Sequence, residues 1–237
     1  MEFPKLVSLF LSQMKLRTNS TTIQDWVNLQ SNSGYTSLHY AAFRGNIDVI
    51  KMLIENGAVV DICNNEGLNV LHLAAQGNKT SVLIYFIEKY KLDYMKIDNI
   101  GSTPLHWSSY VGSEESFLYL LTLNPDINKQ DIEGLTPLHL AVTSDRTRII
   151  KKLLHKGADK TLRDKQNRTP LDLAKEKNKT GIVEMLSFNS CCQVCTVKIP
   201  LDKLEKSNQN IVIFIILHFV VEVISILNII PCKDHLI

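Results

Sequence analysis

One short motif returns along the chain at nearly constant spacing, and this spacing constrains the fold more than any other feature. The motif begins at five positions: GYTSLH at Gly34, GLNVLH at Gly67, GSTPLH at Gly101, GLTPLH at Gly134 and NRTPLD at Asn167. The successive steps are 33, 34, 33 and 33 residues. Self-similarity at such a period indicates supersecondary units that stack on one another, because a single unit cannot bury its own apolar face.

The residue types within each unit predict its local structure. Pro after Thr suits the first turn of a helix, where no amide donor is needed and the Thr hydroxyl can cap the helix. Gly57 and Gly157 predict left-handed ends of second helices. The residues expected to adopt a left-handed conformation between the two helices of a unit are Gly45, Asn78, Gly112, Asp145 and Asn178. The residues expected to face the core from the first helices are Leu38, Leu71, Leu105, Leu138 and Leu171.

The period and the TPLHxA core resemble the ankyrin repeat. The resemblance implies an all-α solenoid of helix–turn–helix repeats with β-turn fingers. The predicted repeats are 34–66, 67–100, 101–133, 134–166 and a truncated, more charged 167–188 that would cap the stack. Residues 1–33 are interpreted as a degenerate N-terminal ankyrin-like cap. The second repeat has one extra residue and lacks Gly-Ala near 90–93, which predicts a longer turn there.

Composition limits the classes of function. The chain has 237 residues, a net charge of +2 and 45% hydrophobic residues, which allow one repeat domain and a smaller segment. The sequence has no basic stripe interleaved with aromatic residues, which is the pattern that favours nucleic-acid binding. The N-terminus lacks the basic region and cleavage site of a signal peptide, so we expect the repeats to face the cytosol.

Residues 211–230 read IVIFIILHFVVEVISILNII, and we predict a transmembrane helix over 211–231. It would follow a juxtamembrane linker, 189–210, and precede a short tail, 232–237. Lysines before the segment favour a cytosolic N-terminus, and we expect an endomembrane such as the Golgi or the endoplasmic reticulum. The alternative is a helix packed on the repeats, because the polar residues of the segment share one face.

Two groups of residues near this segment could carry chemistry. His218 and Glu222 lie one helical turn apart, and such residues in a membrane usually contact protein or water, so they are candidates for contacts with partner membrane helices. The alternative is a protonated Glu222 that is hydrogen-bonded locally to His218. The cluster Cys191, Cys192 and Cys195 is juxtamembrane, where S-acylation occurs, and unmodified thiols are the alternative. A structural zinc site needs four ligands, and no second CxxC pair is nearby, so we predict no metal site.

We also predict no catalytic residue and no cofactor. The histidines of the motif recur with the repeat, which indicates a structural role in bonding the neighbouring backbone. They are His39, His72, His106 and His139. The sequence contains no Ser/His/Asp set, phosphate-cradling glycine loop or HExxH.

The order of ankyrin repeats, basic linker and apolar segment resembles the N-terminal part of ankyrin-repeat DHHC palmitoyltransferases. Residues 70–76 (VLHLAAQ), residues 80–87, TPLHW and the linker 199–206 carry this likeness. The Cys-rich domain and the DHHC motif of those enzymes are missing, since 234–237 reads DHLI. We therefore expect a membrane-anchored protein-binding module without catalysis, with the layout of a tail-anchored protein. The alternative is the substrate-recruiting part of such an S-acyltransferase.

Trp107 follows TPLH where Leu73 and Leu140 stand in other repeats. One interpretation is a packed aromatic beside small residues. The other is an anchor for a protein or peptide on the concave face, since Trp and Tyr are enriched in binding hot spots. In the resembled enzymes an aromatic groove between repeats takes an extended peptide containing proline, which implies Tyr40, Trp107 and Tyr110 as candidates here. The further candidates at the finger tips are Asn64, Asn65, Asn99, Asp131 and Asp164, whose default role is turn chemistry.

Overall fold

The computed structural model describes residues 4–5, 8–9, 11–13 and 20–187. Within these residues all regular secondary structure is helical, as expected for an ankyrin solenoid. The predictions for the linker 189–210, the transmembrane helix 211–231 and the tail 232–237 lie outside the described residues, as do those for Cys191, Cys192, Cys195, His218 and Glu222. Among the described helices, none has the length and apolar character needed to cross a membrane.

The helices alternate between a first and a second helix in each repeat. A helix at Ser20–Val27 (α1) precedes them. The first helices are Ser37–Arg44 (α2), Val70–Gln76 (α4), Pro104–Val111 (α6), Pro137–Thr143 (α8) and Pro170–Glu176 (α10). The second helices are Ile47–Glu55 (α3), Thr80–Ile84 (α5), Glu114–Thr122 (α7), Thr147–His155 (α9) and Thr180–Ser187 (α11).

The first helices begin as the sequence predicts. Pro lies in the first turn of α6, α8 and α10, and Thr136 and Thr169 accept hydrogen bonds from the backbone N–H three residues later. Thr103 instead bonds the ring of His106, with 2.9 Å between Oγ1 and Nδ1. Since these caps satisfy donors that the helix itself leaves open, each repeat fixes its own helix start.

The extra residue of the second repeat is accommodated inside a helix, so the prediction of a longer turn near 90–93 was wrong. The helix α5 widens into a π-helical turn at Tyr85–Lys89 before Lys91 ends it with φ 53°. A π turn is the usual result of a one-residue insertion into an α-helix. The second helices α3, α7 and α9 are followed by left-handed residues at Gly57, Asn124 and Gly157.

The core runs between the two rows of helices. The first helices contribute their leucines and small residues, and Ala42, Ala74, Ala75 and Ala141 are fully buried. The second helices contribute larger side chains, including Phe86 and Phe117. Because alanine keeps the backbones close, neighbouring repeats pack along the first-helix row while the bulky residues fill the space behind it.

The fingers between repeats are joined by backbone hydrogen bonds. The N–H groups of Asn65, Asn99, Ile132 and Lys165 donate to carbonyls of the preceding finger, at 2.9 to 3.2 Å. Gly67 adopts φ 81°, and a Cβ atom there would lie 2.7 Å from the backbone nitrogen of Asn99. The glycine that opens a repeat is therefore required by both its conformation and the close approach of the next finger.

Candidate partner-binding surface

Trp107 is held in place by a buried carboxylate. Its indole Nε1 donates a hydrogen bond of 2.8 Å to Oδ2 of Asp98, a residue that is only 6% exposed. The other oxygen of Asp98 accepts the backbone N–H groups of Ile100 and Ser102 at 3.0 and 2.8 Å. One carboxylate thus builds the finger turn and fixes the indole ring. Trp has a single N–H donor, so Trp107 offers a partner its ring alone.

Tyr110 extends this surface by one helical turn. Its ring meets that of Trp107 edge-on, at 6.4 Å between centroids and an interplanar angle of 89°. Tyr110 is 46% exposed, whereas Trp107 is partly buried. Edge-to-face contact is a preferred aromatic geometry, so the pair forms a stable, half-open platform on α6.

Tyr40 lies in a second, separate aromatic group in the first repeat. It is 57% exposed, and its ring is 5.6 Å from that of Tyr35, which also contacts His39 edge-on. The helix between the two groups carries the buried Leu73 at the equivalent position. The structure therefore brings Trp107 and Tyr110 together but does not join Tyr40 to them.

Sequence reasoning missed two aromatic residues beside Tyr40. Phe43 is 43% exposed and follows Tyr40 by three positions on α2, which places both on one helix face. That spacing was visible in the sequence. Tyr35, in contrast, precedes α2, and its ring contact depends on the path of the finger.

The candidates at the finger tips occupy two different structural positions. Asn64, Asp131 and Asp164 are turn residues, each of which accepts two backbone N–H groups through Oδ1. Asp98 is their equivalent in the second repeat, whereas the predicted candidate there, Asn99, is its neighbour. Asn64 and Asp164 are buried, and Arg168 donates to the second oxygen of Asp164. These residues form the turns, as their default role predicts.

Asn65 and Asn99 lie one residue further on and are exposed. Their side-chain amides donate to the carbonyls of Asn32 and Asn65, respectively, each at 2.9 Å. The amides thus continue the backbone bonds from finger to finger. The exposed parts of the Asn65 and Asn99 side chains lie at the surface beside the turns.

The four recurring histidines are structural. In His39, His106 and His139, Nδ1 accepts the N–H of the capping Thr, so the proton resides on Nε2, which faces a backbone carbonyl. In His72, Nδ1 contacts the capping Asn69, and Nε2 again faces a carbonyl. The carbonyls belong to Ile62, Ser102, Lys129 and Arg168, at 3.0 to 3.3 Å. Burial lowers the pKa of all four rings, and that of His106 to about 4. They are neutral bridges between the helices and the fingers.

Comparison with known proteins agrees with this architecture. A family profile described as "Ankyrin repeats (3 copies)" matches residues 38–131 and 120–196, and one described as "Ankyrin repeats (many copies)" matches residues 16–54. The chain belongs to the ankyrin-repeat family. Its repeats are of the kind that generally mediates binding between proteins.

Several curated proteins are similar to parts of this ankyrin chain. Palmitoyltransferase AKR1 of Lachancea kluyveri is 32% identical over 109 residues, which cover 44% of this chain and 15% of that protein. Notch-regulated ankyrin repeat-containing protein A of Danio rerio is 36% identical over 76 residues, or 32% of this chain and 68% of that protein. Tyrosine-protein kinase HTK16 of Hydra vulgaris is 30% identical over 114 residues, again 15% of that protein. The first match supports the resemblance to ankyrin-repeat palmitoyltransferases.

Proposed function

We propose that this ankyrin protein is a membrane-anchored binding module that faces the cytosol and takes an extended peptide on its first-helix row. The observation that carries the peptide site is the Trp107 ring, fixed by Asp98 and flanked by Tyr110. A ring already held in one rotamer loses little conformational entropy on binding. Aromatic anchors of this kind carry a large share of the energy in protein interfaces.

The Tyr40 group extends the same row two repeats away. It presents Tyr40 and Phe43 to solvent. An extended peptide rises about 3.3 Å per residue, so a short segment can reach from one aromatic group toward the other. We therefore assign Trp107 and Tyr110 to the principal anchor site and Tyr40 to a second one.

The test is Trp107→Ala in the full chain. We expect the amount of partner recovered in a quantitative pull-down to fall at least about tenfold, in line with a hot-spot loss of about 2 kcal/mol. The matched control is Trp26→Ala, which removes the other tryptophan from α1, where the residue is 51% exposed. Circular dichroism and urea unfolding check that both variants stay folded. Equal recovery of the partner by Trp107→Ala and wild type would remove this site from the proposal.

The membrane anchor rests on the apolar run at 211–230. Twenty such residues at helical rise match the hydrocarbon core of a bilayer. The test is carbonate extraction of membranes from cells that express the full chain. We expect the chain to stay in the pellet, and its release into the supernatant would end the anchoring proposal.

A second candidate function is favoured by the similarity to palmitoyltransferase AKR1. In this alternative the repeats recruit protein substrates for S-acylation by a catalytic domain that these residues do not contain. An immunoblot of the endogenous protein with an antibody against residues 34–166 separates the two. A product near 26.9 kDa favours the binding module, whereas one at least about twice that mass favours the larger enzyme.

A further inference from the structure

The second-helix side changes its charge abruptly between two neighbouring repeats. The second helix α7 contains Glu114 and Glu115 and no Lys or Arg, while α9 contains Arg148, Lys151 and Lys152 and no Asp or Glu. The two repeats meet where α7 and α9 lie side by side. Charges of one sign gathered on a surface attract ligands of the opposite sign.

A shallow slot opens at this junction. Lys152 stands where the other repeats carry Met52, Tyr85 and Tyr119, which are partly buried. Lys152 itself is exposed. The slot beside it has a volume of about 190 Å³ and a floor made by Phe117, Leu118 and Ile149. A large side chain that packs against the core in the first three repeats is therefore replaced here by a flexible cation.

Cations surround this apolar floor. Arg148, Lys151 and Lys152 form the rim, with Glu114 at one end. Glu114 accepts hydrogen bonds of 3.3 Å from Arg148, so this pair is internally balanced. Lys151 and Lys152 take part in no ion pair with any of the residues that the structure describes. Two exposed ammonium groups thus border exposed apolar surface, since Leu118 is 43% exposed.

We propose that this slot, between α7 and α9, binds an acidic peptide that inserts one large apolar side chain. The side chain would pack on the exposed Leu118, above the buried Phe117 and Ile149, and flanking carboxylates would pair with Lys151 and Lys152. The volume is below the roughly 300–1,000 Å³ of small-molecule sites and suits one anchoring side chain. Carboxylates beside the anchor supply the charge complementarity that fixes register and speeds association.

The surroundings favour a peptide over an anionic membrane. Glu114 and Glu115 lie on α7, next to the basic helix, and Glu115 is exposed. A planar anionic surface would meet these carboxylates together with the lysines, and like charges repel. A peptide is narrow enough to contact the lysines alone. The site is separate from Trp107, which lies on the first-helix row.

The test uses the full chain, purified in a neutral detergent, and a fluorescein-labelled probe peptide, Glu-Glu-Phe-Glu-Glu. Fluorescence anisotropy measures its Kd. We expect Lys151→Glu to weaken binding at least about tenfold, because an attraction becomes a repulsion. Lys152→Tyr, which restores the residue of the second and third repeats, should weaken it at least about fivefold by filling the slot.

Matched controls locate the effect. Lys51→Glu changes the equivalent lysine of α3, where Met52 follows instead of a second lysine. This variant should bind the probe like wild type. Trp107→Ala should also bind the probe like wild type. Probes with Ala for Phe or Gln for Glu should each bind at least about fivefold more weakly. Equal affinity of wild type and Lys151→Glu, or a parallel loss in Lys51→Glu, overturns the proposal. Displacement of the probe by phosphatidylserine vesicles, but not by phosphatidylcholine vesicles, would assign the lysines to a membrane surface instead.

Discussion

The first-helix row and the second-helix row solve the same packing problem with different amounts of repetition. In the first row nearly every repeat uses the same cap and, until the last, the same buried histidine. In the second row the caps differ, since Asn46 accepts a backbone N–H whereas Lys79 and Arg146 form no such bond. The repeated residues hold neighbouring repeats together. The varied residues make the second-helix surface differ from one pair of neighbouring repeats to the next. The slot beside Lys152 and the π turn in α5 are two such differences.

The largest expected contrast between the rows is in their response to acid. The first row buries four neutral histidines, while His155 on the second row is exposed. His106 has a pKa lowered from 6.5 to about 4, so below pH 6.5 the unfolded chain binds the proton more readily. The contribution of His106 to the stability of the fold is therefore fully present above pH 6.5 and is lost as the pH falls toward 4. From His106 alone we expect a loss of about 2 kcal/mol at pH 5 and about 3 kcal/mol at pH 4.

Urea unfolding at pH 7.5, 5 and 4 measures this loss. His106→Asn should be less stable at pH 7.5 but should show a smaller pH dependence than wild type. His155→Gln, which changes an exposed side chain, should leave the stability at pH 7.5 unchanged. A wild-type midpoint that is the same at pH 7.5 and pH 5 would contradict the neutral histidine bridges.

A smaller contrast concerns two glycines. Gly67→Ala forces a side chain into φ 81° and against the backbone of Asn99, and we expect it to destabilise the chain by about 2 kcal/mol. Gly181 lies in α11 with open space around it, and Gly181→Ala should stabilise the chain by about 0.5–1 kcal/mol. Thermal unfolding of both variants checks the signs. Destabilisation of similar size in both variants would show that the fingers and the second helices tolerate an added side chain equally well.

The smallest contrast lies in the helix starts. Thr136→Ala removes the hydroxyl that accepts the N–H of His139, and should cost about 1 kcal/mol. Arg146 begins the second helix of the same repeat without a side-chain cap, and its Nε donates one exposed hydrogen bond to the carbonyl of Tyr110. Arg146→Ala should therefore cost about 0.5 kcal/mol, less than Thr136→Ala. Urea midpoints of the two variants test this difference. A larger loss in Arg146→Ala would reverse the proposed division between the rows.

Much of the first row was predictable because its signals are local. Thr-Pro predicts a helix start, and a histidine repeated at the period of the fold predicts a structural bond; both predictions were confirmed in α8. The left-handed residues at Gly45, Asn78, Gly112, Asp145 and Asn178 were confirmed as well. Each of these features depends on a few adjacent residues, so the sequence alone specifies them.

The remaining features depend on contacts between distant residues. A period of 34 reveals one inserted residue but cannot show that α5 absorbs it as a π turn. The bond from Trp107 to Asp98 crosses a finger turn, so no periodicity indicates it. The slot at Lys152 arises because a neighbouring repeat supplies the other wall. The membrane and S-acylation predictions remain predictions.

The hydrogen bonds between fingers have a consequence for how the molecule comes apart. Each bond joins a finger only to the one before it, so a local opening removes one link and leaves the links further along intact. Stability then adds up from neighbour to neighbour, as in a one-dimensional chain of coupled units. Under mechanical load the stack should peel from an end, one repeat after another, instead of breaking in a single event. A partner bound across several repeats would hold them together and oppose this stepwise unfolding.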